Sequence, residues 1–191
     1  MQNNRISVPP DTPVERTFIV YVEDKPGVLN RVASLFRRRA YNIESLTVGH
    51  TDQPGVSRMT IVTNVDEYTA RRMEANLYKL VNVLRVQEVI DTPSVMRDLA
   101  LIKVRADAEN RTHVFQICDI FRARVVDVTP DALIVEITGT EDKIDGLVEV
   151  LRPYDIIEMV RTGRVAMTRG SETLTVHPEY VPARLPEKTP V

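Results

Sequence analysis

The sequence predicts an α+β fold that contains two ferredoxin-like β-α-β-β-α-β units in tandem. The first observation is that one order of strand-like and helix-like patterns occurs twice along the 191 residues. The second is that each half has two helices for four strands, so its helices can cover only one face of a sheet. The third is a pair of similar segments before the second strand of each half, Leu35-Phe36-Arg37 and Ile120-Phe121-Arg122.

In the first half, Phe18, Val20 and Val22 alternate with their neighbours, which predicts a strand. Apolar residues then recur at helical spacing, which predicts a helix from Gly27 to Arg39. Further strands are expected over residues 42–49, 57–64 and 82–90. The apolar stripes of the two helices are Val28, Val32, Leu35 and Phe36, then Ala70, Met73, Leu77 and Leu80.

The second half repeats this order from residue 99 to residue 160. Strands are expected over residues 99–105, 124–128, 132–138 and 154–160. Two apolar stripes predict the helices between them. These stripes are Val114, Ile117, Cys118 and Phe121, then Ile144, Leu147, Val148 and Leu151.

Proline content sets the expected boundaries, because seven of the twelve prolines lie near the chain ends. Repeated proline opposes helices and central strands. We therefore expect a disordered segment over residues 1–15 and a flexible tail over residues 171–191. The first domain is expected over residues 16–92, a linker over 93–97 and the second domain over 98–170.

Composition limits the classes of function. A net charge of −2, from 25 basic and 27 acidic residues, gives no general attraction to nucleic acid or anionic membrane. The single cysteine, Cys118, allows no internal disulfide and is expected to be a buried packing thiol. No apolar run approaches the ~20 residues that span a bilayer. We expect a cytoplasmic protein.

No metal site or catalytic centre is expected. The histidines His50, His113 and His177 are far apart and lack partners at ligand spacing. Phosphate-binding loops and the G-x-S-x-G motif are absent. The cluster Arg37-Arg38-Arg39 ends a helix, where cations suit the helix dipole, so we favour that role over nucleic-acid binding.

The segment Asp24-Lys25-Pro26-Gly27 is the main candidate site. In one interpretation Asp24 caps the following helix and Pro26 occupies its first turn. In the other, amides around Gly27, Val28 and Leu29 also hold a carboxylate ligand, while Asp24 binds an ammonium group. The two interpretations are compatible, since an unoccupied site would resemble a cap.

Asn42 and Ile43 form a second candidate position, at the predicted start of the second strand. One interpretation is a turn residue followed by a core residue. The other is that Asn42 bonds a ligand and Ile43 supplies an apolar wall. Each unit would also leave edge strands, which favour pairing with a second copy, so we expect at least a dimer.

The chain resembles the family of small regulatory subunits of acetolactate synthase, also called acetohydroxyacid synthase. The resemblance runs from about Arg16 to Gly170. Its most specific segments are Glu23–Leu29 and Tyr41–Val48. Supporting segments are Ser57–Val62, Lys79–Val86, Ile120–Val128 and Met167–Gly170.

The resemblance implies an N-terminal ACT domain that binds the effector and dimerises, followed by a related C-terminal domain. It implies a subunit that binds and activates a catalytic subunit carrying thiamine diphosphate, Mg and FAD, and that itself carries no cofactor. It also implies feedback inhibition by valine, or another branched-chain amino acid, in branched-chain amino-acid biosynthesis.

The implied effector site lies between two chains. One chain supplies Asp24, Pro26, Gly27, Val28 and Leu29, and its partner supplies Asn42 and Ile43. The position of Asp24 is often Asn in such proteins, so its charge could change effector affinity. The alternative function is a stand-alone amino-acid-binding ACT regulator of another enzyme or of transcription, which would require a DNA-binding helix pair or a basic face.

Overall fold

The computed structural model describes residues 11–89 and 92–170. The elements of the first half are β1 (Val14–Glu23), α1 (Val28–Arg38), β2 (Ser45–His50), β3 (Val56–Val65), α2 (Glu67–Leu77) and β4 (Val83–Glu88). Those of the second half are β5 (Ser94–Arg105), α3 (Arg111–Phe121), β6 (Arg124–Val128), β7 (Ala132–Gly139), α4 (Glu141–Leu151), β8 (Ile156–Arg161) and β9 (Val165–Thr168).

The first sheet has the strand order β2-β3-β1-β4, and every neighbouring pair is antiparallel. Side chains alternate along each strand, so Phe18, Val20 and Val22 share one face with Met59 and Ile61. Helices α1 and α2 pack their apolar stripes on that face and form one buried cluster. β2 and β4 are the outer strands of this described sheet.

The two ends of α1 are capped in different ways. Gly27 is the N-cap, and no side chain hydrogen bonds to the helix start. At the other end, the amide of Tyr41 donates to the Phe36 carbonyl at 3.0 Å and that of Ala40 to the Arg37 carbonyl at 3.2 Å. Ala40 has a φ of 53°. This left-handed closure ends the helix and turns the chain towards Asn42 and Ile43.

The second sheet has the order β6-β7-β5-β8, with β9 as a fifth strand that pairs with β5. Its helices α3 and α4 cover one face and form a second buried cluster around Ile102, Val135 and Leu147. Cys118 lies in this cluster with 2% of its surface exposed. The predicted fold class, two ferredoxin-like α+β units, is confirmed.

Several predicted boundaries differ from the structure. β2 begins at Ser45 rather than Asn42, because the closure after α1 leaves residues 41–44 in a loop. β5 begins at Ser94, so residues 94–97 of the expected linker are strand. β1 begins at Val14, inside the segment that was expected to be disordered. β9 was not predicted, since its four residues are too few to give a clear alternation.

The predicted tail over residues 171–191, residues 1–10 and residues 90 and 91 lie outside the described residues. The chain divides into two compact units, and Ser94–Met167 forms the second. Within the described residues, no helix is long and apolar enough to cross a membrane.

Candidate functional site

The loop from Glu23 to Gly27 joins the end of β1 to the start of α1. The Asp24 amide donates to the Gly55 carbonyl at 2.8 Å, which continues the alignment of β1 with β3 by one residue. Gly27 then has a φ of 82°, in the left-handed region that favours glycine. A β-carbon at this position would meet no atom within 4 Å. The loop therefore approaches α1 with open space beside Gly27.

The carboxylate of Asp24 contacts residues of β3, the neighbour of β1, and of β2, the strand beyond it. Its Oδ1 accepts a hydrogen bond from the Ser57 hydroxyl at 3.1 Å, and its Oδ2 lies 3.2 Å from His50 Nδ1. His50 ends β2, and its register partner on β3 is Ser57. The ends of β1 and β2 and the start of β3 thus meet at one corner of the sheet.

The prediction that Asp24 caps α1 is wrong. The backbone bond to Gly55 keeps Asp24 beside β3, where Ser57 and His50 take its oxygens. Pro26 lies in the turn before α1 rather than in its first helical turn. The side chain that does cap a helix in this unit is Asp66, which accepts from the Thr69 amide at 2.8 Å at the start of α2. Hydrogen bonds from the amide and the hydroxyl of Thr69 lower the pKa of Asp66.

The backbone amides at the start of α1 are only partly available to a ligand. The Val28 amide donates to the Lys25 carbonyl at 3.3 Å, which corrects the expectation that it points outward freely. The Val28 side chain is buried in the first core. For the amides of Gly27 and Leu29, residues 11–89 and 92–170 supply no hydrogen-bond acceptor. Leu29 is 43% exposed and provides an apolar surface at the start of α1.

Asn42 and Ile43 lie in the loop between α1 and β2. Asn42 is exposed, its Nδ2 donates to Glu44 Oε1 at 2.6 Å, and its carbonyl accepts from Thr63 Oγ1 at 2.8 Å. Ile43 is half-buried and packs against the first core. These contacts fix the backbone of the loop and leave the amide of Asn42 at the surface.

Strand β2 separates the two groups of predicted site residues. Asp24 to Leu29 lie near its C-terminal end, at His50, whereas Asn42 and Ile43 precede its N-terminal end, at Ser45. Ser45 and His50 are about 17 Å apart at the usual rise of a strand. One chain therefore brings Asp24, Pro26, Gly27, Val28 and Leu29 together and keeps Asn42 and Ile43 away from them.

Within the described residues, the arginine cluster, the potential metal ligands and Cys118 form no catalytic or ligand-binding arrangement. Arg37, Arg38 and Arg39 are exposed at the end of α1. The described residues contain no group of three His, Cys, Asp or Glu side chains that could hold a metal ion. Burial, helped by the nearby charge of Asp119, raises the pKa of the Cys118 thiol to about 11. A thiol of this kind stays protonated and unreactive at neutral pH.

Sequence and structure comparisons cover both units. Residues 97–170 match the family model for the small subunit of acetolactate synthase, and residues 18–85 match that of the AHAS small subunit-like ACT domain. A probable acetolactate synthase small subunit from Archaeoglobus fulgidus is 48% identical over 159 residues, 83% of this chain and 99% of that protein. The small subunit from Mycolicibacterium smegmatis is 49% identical over 154 residues, 81% of this chain and 91% of that protein.

The crystal structure of the acetolactate synthase small subunit from Thermotoga maritima has 40% sequence identity and a TM-score of 0.78. The match covers 83% of this chain and 99% of that one. The chain belongs to the acetolactate synthase small-subunit family. The predicted family, with an ACT domain in the first half, is therefore confirmed.

His50 and Ser57 lie beside the β1–α1 loop, and the sequence analysis did not identify either as part of the candidate site. His50 was considered only as a metal ligand, and Ser57 only as part of a strand and of a segment that resembles the family. Their separation along the chain hides the fact that β2 and β3 form a hairpin in which they are register partners. The turn-rich segment from Thr51 to Gly55 was the available signal, because a hairpin turn places its flanking residues opposite each other.

Proposed function

We propose that this chain is a non-catalytic regulatory subunit that binds and activates the acetolactate synthase catalytic subunit and confers feedback inhibition by valine. Family membership supports a catalytic subunit as the partner. Thiamine diphosphate, Mg and FAD would then be held by that partner. The proposed setting is branched-chain amino-acid biosynthesis in the cytoplasm.

The observation that carries the effector part of the proposal is the separation of the two groups of site residues along β2. β2 is an outer strand of its described sheet, so a second copy can pair with it. If two β2 strands pair antiparallel about a twofold axis, the start of one strand lies beside the end of the other. Asn42 and Ile43 of one copy would then face Asp24 and Gly27 of the other.

Such a composite site matches a free branched-chain amino acid. The amides of Gly27 and Leu29 would hold the carboxylate at the start of α1. Asp24 would hold the ammonium group. Leu29 and Ile43 of the second copy would contact the apolar side chain, while Asn42 would hydrogen bond one of the charged ends. A differential affinity of only ~1–3 kcal/mol between two states is enough for regulation.

Reconstitution tests this function. The purified chain is mixed with the catalytic subunit from the same organism, and acetolactate formation from pyruvate is measured with each subunit alone and with both. We expect no turnover by this chain alone, higher turnover by the mixture than by the catalytic subunit alone, and inhibition of the mixture by valine. Isoleucine and leucine are titrated in parallel.

Each part of the proposal can fail separately. Turnover by this chain alone would contradict the non-catalytic role. A mixture no more active than the catalytic subunit alone would contradict activation. A mixture that is activated but insensitive to all three amino acids would contradict the effector site while leaving the partner assignment intact.

A further inference from the structure

His50 and Ser57 surround the group that the proposed effector site uses to bind an ammonium ion. Ser57 is 6% exposed, and its hydroxyl donates to Asp24 Oδ1 from a fixed position on β3. The His50 side chain is 83% exposed and meets Asp24 Oδ2 at 3.2 Å. The two oxygens of Asp24 thus have different partners, one rigid and one able to move away.

The exposed partner competes with the effector. A protonated imidazole and an ammonium group seek the same carboxylate oxygen, and each repels the other at short distance. Histidine changes charge between pH 5 and 8. A neutral imidazole can leave Asp24 Oδ2 at little cost, whereas a charged imidazole must give up an ion pair. The competition therefore depends on pH.

Other charged groups near this corner are already engaged or do not titrate in the same range. On the β1–α1 loop, Glu23 pairs with Lys25 at 3.0 Å. On β3, Arg58 lies over the Tyr21 ring at 5.8 Å, and on the β2–β3 turn Asp52 is exposed. In the proposed dimer, Glu44 of the second copy would also approach. Carboxylates and guanidinium groups keep their charge from pH 6 to 8, whereas an imidazole does not.

The geometry points to Ser57 as the residue that positions Asp24 for the effector ammonium group, and to His50 as a proton-dependent competitor for the same carboxylate. This inference rests on the proposed effector site. If the inference holds, the chain binds valine with lower affinity at acidic pH, and this pH dependence does not require the catalytic subunit.

Calorimetric titration of the full-length chain with valine, without the catalytic subunit, tests the inference at pH 6 and pH 8. We expect the Kd to be about three- to fivefold higher at pH 6, because an imidazole is mostly charged at pH 6 and mostly neutral at pH 8. His50→Gln should remove this difference. His113→Gln, which changes an exposed histidine of α3, should keep it.

Ser57→Ala should weaken binding at both pH values and keep the ratio between them, because it frees Asp24 without touching the imidazole. Ser57→Thr, which restores a hydroxyl, should recover affinity. Valine binding with the same Kd at both pH values, or a pH dependence that survives in His50→Gln, would overturn the role of His50. Unchanged affinity in Ser57→Ala would overturn that of Ser57.

No binding of valine, isoleucine or leucine at either pH would instead overturn the effector site on which the inference rests.

Discussion

The hydroxyl of Ser57 donates to the carboxylate of Asp24 across 33 residues of sequence, at 3.1 Å. This bond assigns Asp24 to a corner of the sheet rather than to the start of α1. The carboxylate therefore lies near the left-handed turn at Gly27 and does not accept hydrogen bonds from the amides at the start of α1. Had Asp24 capped α1, its oxygens would have accepted from helix amides instead of from Ser57 and His50.

Gly27→Asp is expected to abolish the response to valine while the chain stays folded. The new carboxylate would occupy the space in which the carboxylate of the effector is proposed to bind, and no atom within 4 Å obstructs a β-carbon there. Gly27→Asn is the matched control, since Asn has nearly the same shape and tolerates left-handed backbone about as well as Asp. Inhibition of the reconstituted complex by valine is measured for both. Equal loss of inhibition in the two variants would show that shape or backbone strain, rather than charge, is responsible.

Val48→Lys is expected to convert the proposed dimer to a monomer. Val48 lies on the outer strand β2 with 44% of its surface exposed, and lysine on an edge strand opposes pairing with another chain. Light scattering coupled to size exclusion gives the mass. Val81→Lys, at a position that is 85% exposed and outside β2, should leave the mass unchanged. A dimeric Val48→Lys protein that still responds to valine would contradict pairing through β2.

The same substitution, Ala→Gly, is expected to have opposite effects at Ala33, inside α1, and at Ala40, just after the end of α1. Ala40 has a φ of 53°, and replacing it with glycine removes left-handed strain, which should raise the free energy of unfolding by about 1 kcal/mol. Ala33 lies inside the helix, where glycine should lower that free energy by about 1 kcal/mol. Chemical denaturation measures both. Destabilisation by Ala40→Gly would contradict the helix closure described for this segment.

Cys118 is expected to resist thiol reagents in the folded protein. Its pKa is raised to about 11, whereas an unfolded cysteine titrates near 8.5. The folded state therefore binds the thiol proton more tightly, and the associated stability is fully present below about pH 8.5 and is lost as pH rises towards 11. Labelling with a chromogenic disulfide at pH 8 should be slow until denaturant is added. Cys118→Ala should weaken the loss of stability between pH 8.5 and 11.

The fold could be predicted from the sequence because its cores have strong periodicity. Residues such as Phe18, Met73 and Ile144 repeat at the spacing of strands or helices. Most of them are buried, and the others pack partly buried against the two cores. Boundaries were predicted less well where no periodicity exists. The left-handed closure at Ala40 carries no glycine, so nothing in the sequence marks that Asn42 lies in a loop.

The sequence indicated which residues make up the candidate site, but it did not indicate the contacts between them. Asp24 was singled out from the sequence, but its contacts with Ser57 and His50 arise only through the pairing of β2 with β3. A sequence pattern describes local spacing, whereas such hydrogen bonds depend on register between segments far apart in the chain. For the same reason, the distance between Gly27 and Asn42 follows from the position of β2 alone and has no signature in either motif.

The length of β2 has a genetic consequence. If each effector site takes its halves from two copies, then a chain damaged at Gly27 and a chain damaged at Asn42 can compensate for each other. A mixed dimer of Gly27→Asp and Asn42→Ala chains would have one site with both lesions and one site with neither. Co-expression of the two variants should therefore restore part of the valine sensitivity that each lacks by itself, as intragenic complementation.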